Sequence, residues 1–284
     1  MLQKSYTFKL KYNGMNIKEK LKLAYINTVY HRYVRCENIL RKRIKAKADN
    51  KFLFVLSPQY SGSTLLTALL LTSKNVSVNN KIGAREGQQL PVLNKLLFNN
   101  VKRWEPSHKV NWSFVKKQWL KYWDVSKPIL LEKSPPNLVR AKSIEQYFAP
   151  SYFIVLTRNP YSLCQSLIKR SNFTPQHAAQ FTIKCLLLQK QNIETLNNVI
   201  KIAYEEMVEN TNSIVDKLKI FIPELGELQI SNVNAEFGAI VNMNNDKIKQ
   251  LSAEEINIIN NEYVNNKEVL EFFGYRYNEK ESLS

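Results

Sequence analysis

The chain has little cysteine. Its three, Cys36, Cys164 and Cys185, are odd in number and widely spaced, which suits neither a disulfide framework nor a metal cluster. Histidine is equally sparse: His31, His108 and His177 are scattered and read as structural or surface residues, so no metal site is expected. No long apolar run is present either. The longest, TLLTALLLT (Thr64–Thr72), is far too short to span a bilayer and reads as a core helix. The opening MLQKSYTFKLKY has no signal-peptide core, and a cytoplasmic protein is the expectation. Glycine is scarce too, at 7 residues in 284, so Gly62, set among hydroxyl residues in SPQYSGSTLL, stands out.

The rest of the composition is that of a globular protein, 44% hydrophobic and 23% charged. The unusual property is charge, +17 overall. Residues 1–50 hold 13 Lys/Arg against Glu19, Glu37 and Asp49, so +10 of the total lies before the first expected strand. Such a surface favours nucleic acid, anionic lipid or an anionic small substrate. The joint richness in Lys, Asn and Ile leaves a purely compositional origin open.

Apolar residues recur at helical spacing over 16–47 (Ile17, Leu21, Ala24, Tyr25, Val29, Tyr33, Ile39, Leu40, Ile44), with Lys/Arg on the other faces. This predicts a basic amphipathic arm over 1–50 of one or two helices, packed on the main domain or on a membrane surface. The domain proper, 51–284, alternates short apolar strands (Lys51–Leu56, Ile129–Glu132, Ser151–Leu156, Ile200–Tyr204) with helices (Ser63–Leu71, Gln88–Trp104, Asn111–Trp123, Tyr161–Arg170, Pro175–Asn197, Asn210–Phe221, Ala253–Phe273). Asn75–Gly87 reads as a polar loop. The alternation predicts an α/β fold, a P-loop-like parallel sheet with helices on both faces.

In such sheets ligands lie beyond the carboxyl ends of the strands. Here those ends carry Ser61-Gly62-Ser63-Thr64, then Lys133, then Arg158, then Tyr204-Glu205. A strand turning sharply into a helix aims backbone N–H groups at an anion, and a glycine lets the anion approach closely. A lysine and an arginine opening onto the same crevice describe a pocket for a ligand with separated negative charges. The G-x-x-x-x-G-K-[ST] lysine of a triphosphate-binding loop is absent, as is an acidic metal ligand after a strand.

The ordered set PxxSGSTLL, EKSPPN, FIVLTRNPYSLCQSLIKR and YEEMVEN resembles the sulfotransferases that use 3'-phosphoadenosine 5'-phosphosulfate (PAPS). The resemblance covers roughly Phe52 to Met207, with a weaker echo to Leu251. It implies that Ser61, Gly62, Ser63, Thr64 and Leu65 hold the 5'-phosphosulfate, and that Arg158 and Ser166 hold the 3'-phosphate. The tyrosylprotein sulfotransferase branch looks nearest. By that likeness Arg170 and Tyr204 are further nucleotide contacts and Glu86, in AREGQQLP, is the general base. Lys133 is then the stabiliser of charge on the transferring group, and Lys249, in a late loop over the nucleotide (Asn244–Ser252), a phosphate contact.

Two departures stand out. Tyr60, preceded by Gln59, occupies the position before the SGST loop where these families usually have Lys or Arg, which removes a cation from near the bridging oxygen. Lys133 or Arg85 stand as replacements. Cysteines near Gly83 and Leu131, where the secreted-pathway tyrosine enzymes hold a disulfide, are absent. The reading is a PAPS-dependent sulfotransferase acting on an acceptor hydroxyl (glycan, peptide tyrosine or small molecule), without metal and without nucleic acid. The alternatives are a P-loop phosphotransferase and a PAPS-binding protein with little turnover.

Overall fold

The structure is a computed structural model and describes residues 16–18, 21, 25–44, 48–100 and 102–276. Five strands form one parallel sheet in the order β2-β3-β1-β4-β5, with β1 at Lys51–Leu56, β2 at Val76–Val78, β3 at Ile129–Glu132, β4 at Ser151–Thr157 and β5 at Val199–Ala203. The sequence KFLFVL explains why β1 lies at the centre. Its even members, Phe52, Phe54 and Leu56, enter one apolar cluster, and Leu53 and Val55 enter the other. A strand with no polar face must be covered on both sides, which parallel crossover connections supply.

One face is covered by the helices Ser63–Leu71, Tyr204–Glu209 and Thr211–Phe221, through Leu66, Met207, Ile214 and Leu218. The other carries Pro160–Ser171, Pro175–Thr195 and an aromatic group in which Phe54, Trp119, Phe148 and Phe153 pack ring on ring at 5.2–6.4 Å. The α/β class with helices on both faces is therefore as expected. The chain runs from β1 outward to β2, returns through β3, then crosses β1 to reach β4. The strand order thus reverses beside β1, and the loops leaving β1, β3 and β4 meet at one edge.

Several elements differ from expectation. Within the expected loop Asn75–Gly87, Val76–Val78 is a buried edge strand paired to β3, and Ser77 Oγ accepts the Asp124 N–H at 2.8 Å. The helix expected over Gln88–Trp104 is a 3-10 turn (Gly87–Gln89), a helical turn (Pro91–Leu93) and a π-helical turn (Asn94–Phe98). Extended Leu90 before Pro91 separates the first two, as proline requires of its predecessor. The helix expected over Ala253–Phe273 breaks after Val264 and resumes at Lys267. Asn266 donates from Nδ2 to the Glu262 carbonyl there, a side-chain bond competing with the helical ladder.

Of the expected arm, residues 1–15, 19–20, 22–24 and 45–47 lie outside the described residues. The described part is a π-helical turn, Ile26–Tyr30, running into the helix His31–Ile44. His31, Val34 and Asn38 are buried. Asn38 donates to the Tyr122 carbonyl at 2.7 Å, and Arg41 pairs with Asp124 at 2.5 Å.

Candidate functional site

The chain leaving β1 makes a tight turn in which both Tyr60 (φ 70°) and Gly62 (φ 88°) are left-handed. At Gly62 the reason is on both sides. The conformation is one that a Cβ disfavours, and a Cβ built there would lie 2.5 Å from the Tyr204 ring. Gly62 is also the N-cap of Ser63–Leu71, and no side chain caps that helix end. The first-turn amides of Ser63, Thr64 and Leu65 therefore point at the crevice uncapped, with Thr64 and Leu65 half-buried and Ser63 buried. Ser57 and Ser61 are fully buried, and their hydroxyls have no partner among the described residues.

Arg158, at the end of β4, faces this turn. Nη1 donates to the Tyr60 carbonyl at 2.9 Å and Nε to Asn244 Oδ1 at 2.8 Å, and the guanidinium lies 4.0 Å from the Tyr204 ring centroid. Nη2 is buried and has no partner among the described residues. Burial lowers the Arg158 pKa, opposed by Tyr204, Glu205 and Tyr275. Glu205 completes the frame, accepting the Asn159 N–H (2.7 Å), the Asn244 amide (2.5 Å) and the Tyr275 hydroxyl (3.1 Å).

Ser166 is buried two turns into Pro160–Ser171. Its hydroxyl accepts from Lys247 Nζ at 2.7 Å and donates to the Ser162 carbonyl at 3.1 Å. Burial lowers the Lys247 pKa, and repulsion from Arg158 and Arg170 lowers it further. The lysine at this buried hydroxyl thus lies within electrostatic reach of two further cations. Arg170 is exposed, with its guanidinium 4.8 Å from the Tyr60 ring centroid. Lys249, the expected lysine of the late segment, is instead exposed at the end of the helical turn Asn244–Ile248. Lys247, two residues earlier, is the lysine that reaches Ser166. Within a segment expected to be a loop, no spacing or pattern marks which lysine turns inward.

Beyond β3, Lys133 is 1% exposed. Its ammonium donates to the Ala84 carbonyl at 2.6 Å and to Glu86 Oε1 at 3.3 Å. Burial lowers its pKa, opposed first by Glu86. The other Glu86 oxygen accepts amide N–H groups from Gln88 (2.6 Å) and Gln89 (3.0 Å), which orients the carboxylate. Arg85 is turned aside into an ion pair with Glu236 at 2.6 Å. Arg85 still acts electrostatically on Lys133, and Arg103, whose pKa is lowered by burial, has Glu86 and Tyr60 acting against that shift.

Beneath this loop lies Glu132, fully buried at the end of an otherwise apolar strand. It accepts the Gly87 N–H at 3.0 Å, the Asn137 amide at 3.2 Å and the Ser134 hydroxyl, and Ser134 in turn accepts the Gln88 N–H at 3.1 Å. A Cβ on Gly87 would lie 2.4 Å from the Glu132 carboxylate, so only glycine lets the backbone sit there. Burial raises the Glu132 pKa to about 7 against the lowering effect of its donors. A carboxylate closing a buried strand was the available sequence signal for this residue.

Solved structures give the architecture a precedent. The chain is similar to the sulfotransferase domain from the curacin biosynthetic pathway (17% identity, 82% of this chain and 100% of that one, TM-score 0.50). It is similar also to sulfotransferases from Mycobacterium avium (13% identity, 87% and 81%, TM-score 0.52) and Alicyclobacillus acidocaldarius (10%, 80% and 96%, TM-score 0.51). The fold is a sulfotransferase fold. No protein-family model matches the sequence, and no curated protein matches it.

The residues suit an anionic ligand with two separated charges. The buried donors Ser61 Oγ and Arg158 Nη2 lack partners among the described residues, and an unpaired buried donor costs on the order of 1–3 kcal/mol. The Gly62 turn accepts nothing as large as a methyl, and the cations at Ser166 repel one another. A cavity of about 700 Å³ is lined by Gln59, Arg103, Trp104, Phe173, Phe181 and Ser171, whose hydroxyl lies 3.0 Å from that of Tyr60.

Proposed function

We propose that the protein is a sulfotransferase that takes PAPS as its sulfuryl donor. The observation that carries this reading is a pair of anion sites at adjacent strand ends joined by Arg158. One is the uncapped helix start at Gly62–Leu65, the other the Ser166 hydroxyl bonded by Lys247, with Arg158 and Arg170 in electrostatic reach of that lysine. An adenosine carrying phosphate at both its 3' and 5' positions matches that pair, whereas a triphosphate would place all its charge at one end. Ser61, Gly62, Ser63, Thr64 and Leu65 would hold the 5' group. Arg158, Ser166 and Lys247 would hold the 3'-phosphate, Arg170 would lie at its rim, and the Tyr204 ring would wall the 5' side.

The donor supplies the sulfuryl group. Glu86 takes the proton from the acceptor hydroxyl as its oxygen attacks sulfur in line. The bond from sulfur to the phosphate oxygen breaks, leaving the sulfated acceptor and adenosine 3',5'-bisphosphate. General-base help of this kind contributes typically ~10²–10⁴-fold. Lys133 neutralises charge on the transferring group and leaving oxygen, a field effect strengthened by its burial. Arg170 against Tyr60, with Arg103 nearby, supplies the positive charge that Tyr60 itself lacks. The cavity beside Tyr60 takes the acceptor, and its Trp104, Phe173 and Phe181 walls favour one that presents an apolar ring face.

Transfer of radiolabelled sulfate from PAPS to a panel of phenols, glycans and tyrosine peptides tests this. Label should reach at least one acceptor with the wild type, and Glu86→Gln should lose it by ~10² or more. Tight binding of PAPS with no transfer to any acceptor would reduce the protein to a nucleotide-binding role. Magnesium-dependent consumption of ATP in place of PAPS would overturn the assignment.

A further inference from the structure

The helix His31–Ile44 shows the domain only one face. His31, Val34 and Asn38 are buried against the segment around Tyr122, and the Asn38 bond and Arg41–Asp124 ion pair fix the helix about its axis. The opposite face is apolar and open. Leu21, Tyr25, Val29, Tyr33, Leu40 and Ile44 are 66, 55, 52, 62, 56 and 80% exposed. On a regular α-helix a four-residue spacing drifts by about 40° per step. The π-helical turn Ile26–Tyr30 holds more residues per turn, so it keeps Tyr25, Val29 and Tyr33 in line. From Tyr33 the step of seven to Leu40 and of four to Ile44 stays within about 40° of arc.

We propose that this face lies flat on an anionic membrane surface. Exposed Arg32 and Arg43 border one edge of the stripe, the Glu37–Arg41 ion pair lies along the other, and residues 1–50 carry +10 of the chain's +17. An apolar stripe with cations along an edge and tyrosines along its length is the pattern of a helix seated at the boundary between headgroups and acyl chains. A second copy of the chain is disfavoured as the occupant, because a self-complementary contact would bring two strongly basic segments together. No helix among the described residues is long and apolar enough to cross a membrane, so the contact is peripheral. The catalytic reading is independent of this surface.

Flotation of the full chain with vesicles tests the proposal, comparing phosphatidylcholine alone with phosphatidylcholine mixed with phosphatidylserine. The chain should float with the mixed vesicles, less so as salt is raised. The triple variant Tyr33→Ser/Leu40→Ser/Ile44→Ser should lose at least ~10-fold in binding, since three apolar anchors are removed. Arg32→Glu/Arg43→Glu should lose the preference for phosphatidylserine. All these side chains point outward, so thermal midpoint and circular dichroism should be unchanged. Equal binding by wild type and triple variant, or no binding by the wild type, would overturn the proposal. So would a wild-type dimer that the triple variant converts to monomer without either touching vesicles, which would make the face a contact between copies.

Discussion

At the scale of single residues the account rests on groups whose burial makes sense only with a partner. Lys133 is the clearest for chemistry. Lys133→Ala should lower turnover by ~10²-fold or more while leaving the nucleotide Kd nearly unchanged, because the ammonium is placed to act on developing charge and not on the bound phosphates. Steady-state kinetics beside a binding isotherm separates the two. Glu132 makes a different prediction. Its folded pKa, about 7, lies above the ordinary carboxylate value, so the folded state binds the extra proton. Its contribution to stability is therefore fully present below pH ~4.5 and is lost as pH rises toward 7, at up to about 1.4 kcal/mol per unit. Asp124, Glu145 and Glu224 have lowered pKa values and act in the opposite direction at lower pH, and His31, whose pKa burial lowers from 6.5, adds a rising slope below about pH 6.5, so Glu132 shows as the difference between variants across pH 5–7. Stability measured by denaturant titration across that window should fall with pH in the wild type relative to Glu132→Gln, which keeps only the rising contribution of His31. Equal slopes would remove Glu132 as the cause.

At the scale of elements, the turn between β1 and its helix carries the most specific expectation. Gly62→Ala introduces a Cβ at φ 88° that collides with the Tyr204 ring, and should destabilise the fold by about 1–3 kcal/mol while weakening nucleotide binding. Adding Tyr204→Ala should return part of the stability, since it removes the steric half of the cost and leaves the conformational half; thermal melts of the three variants decide. The same elements show what the sequence could convey. Runs such as KFLFVL and ILLE, bounded by charged and turn-forming residues, marked β1 and β3 at their observed limits, because a strand buried on both faces needs no long-range information to be seen. Val76–Val78 was invisible for the converse reason: three residues flanked by asparagine become a strand only by pairing with β3, more than fifty positions away. The strand-end rule brought Gly62, Lys133, Arg158 and Tyr204 to one edge. It had nothing to say about Asn244–Ile248, where one helical turn decides between Lys247 and Lys249.

At the scale of the whole molecule, the charge of +17 should act on encounter more than on residence. The association rate of an adenosine bisphosphate should fall steeply with ionic strength, while its dissociation rate changes little, a contrast that stopped-flow measurements at low and high salt would reveal. The central feature proposed for the molecule is a join between two anion sites, made by Arg158, which bonds the Tyr60 carbonyl after β1 from the end of β4. Isothermal titration of adenosine 3',5'-bisphosphate into the wild type, Arg158→Ala and Lys247→Ala, with ATP and magnesium as the rival ligand, tests that join most directly. A single site that prefers the bisphosphate to ATP, and that weakens by ~10–100-fold in either variant, is the expected result. Binding that is absent from the wild type, unchanged in both variants, or stronger for ATP would contradict it.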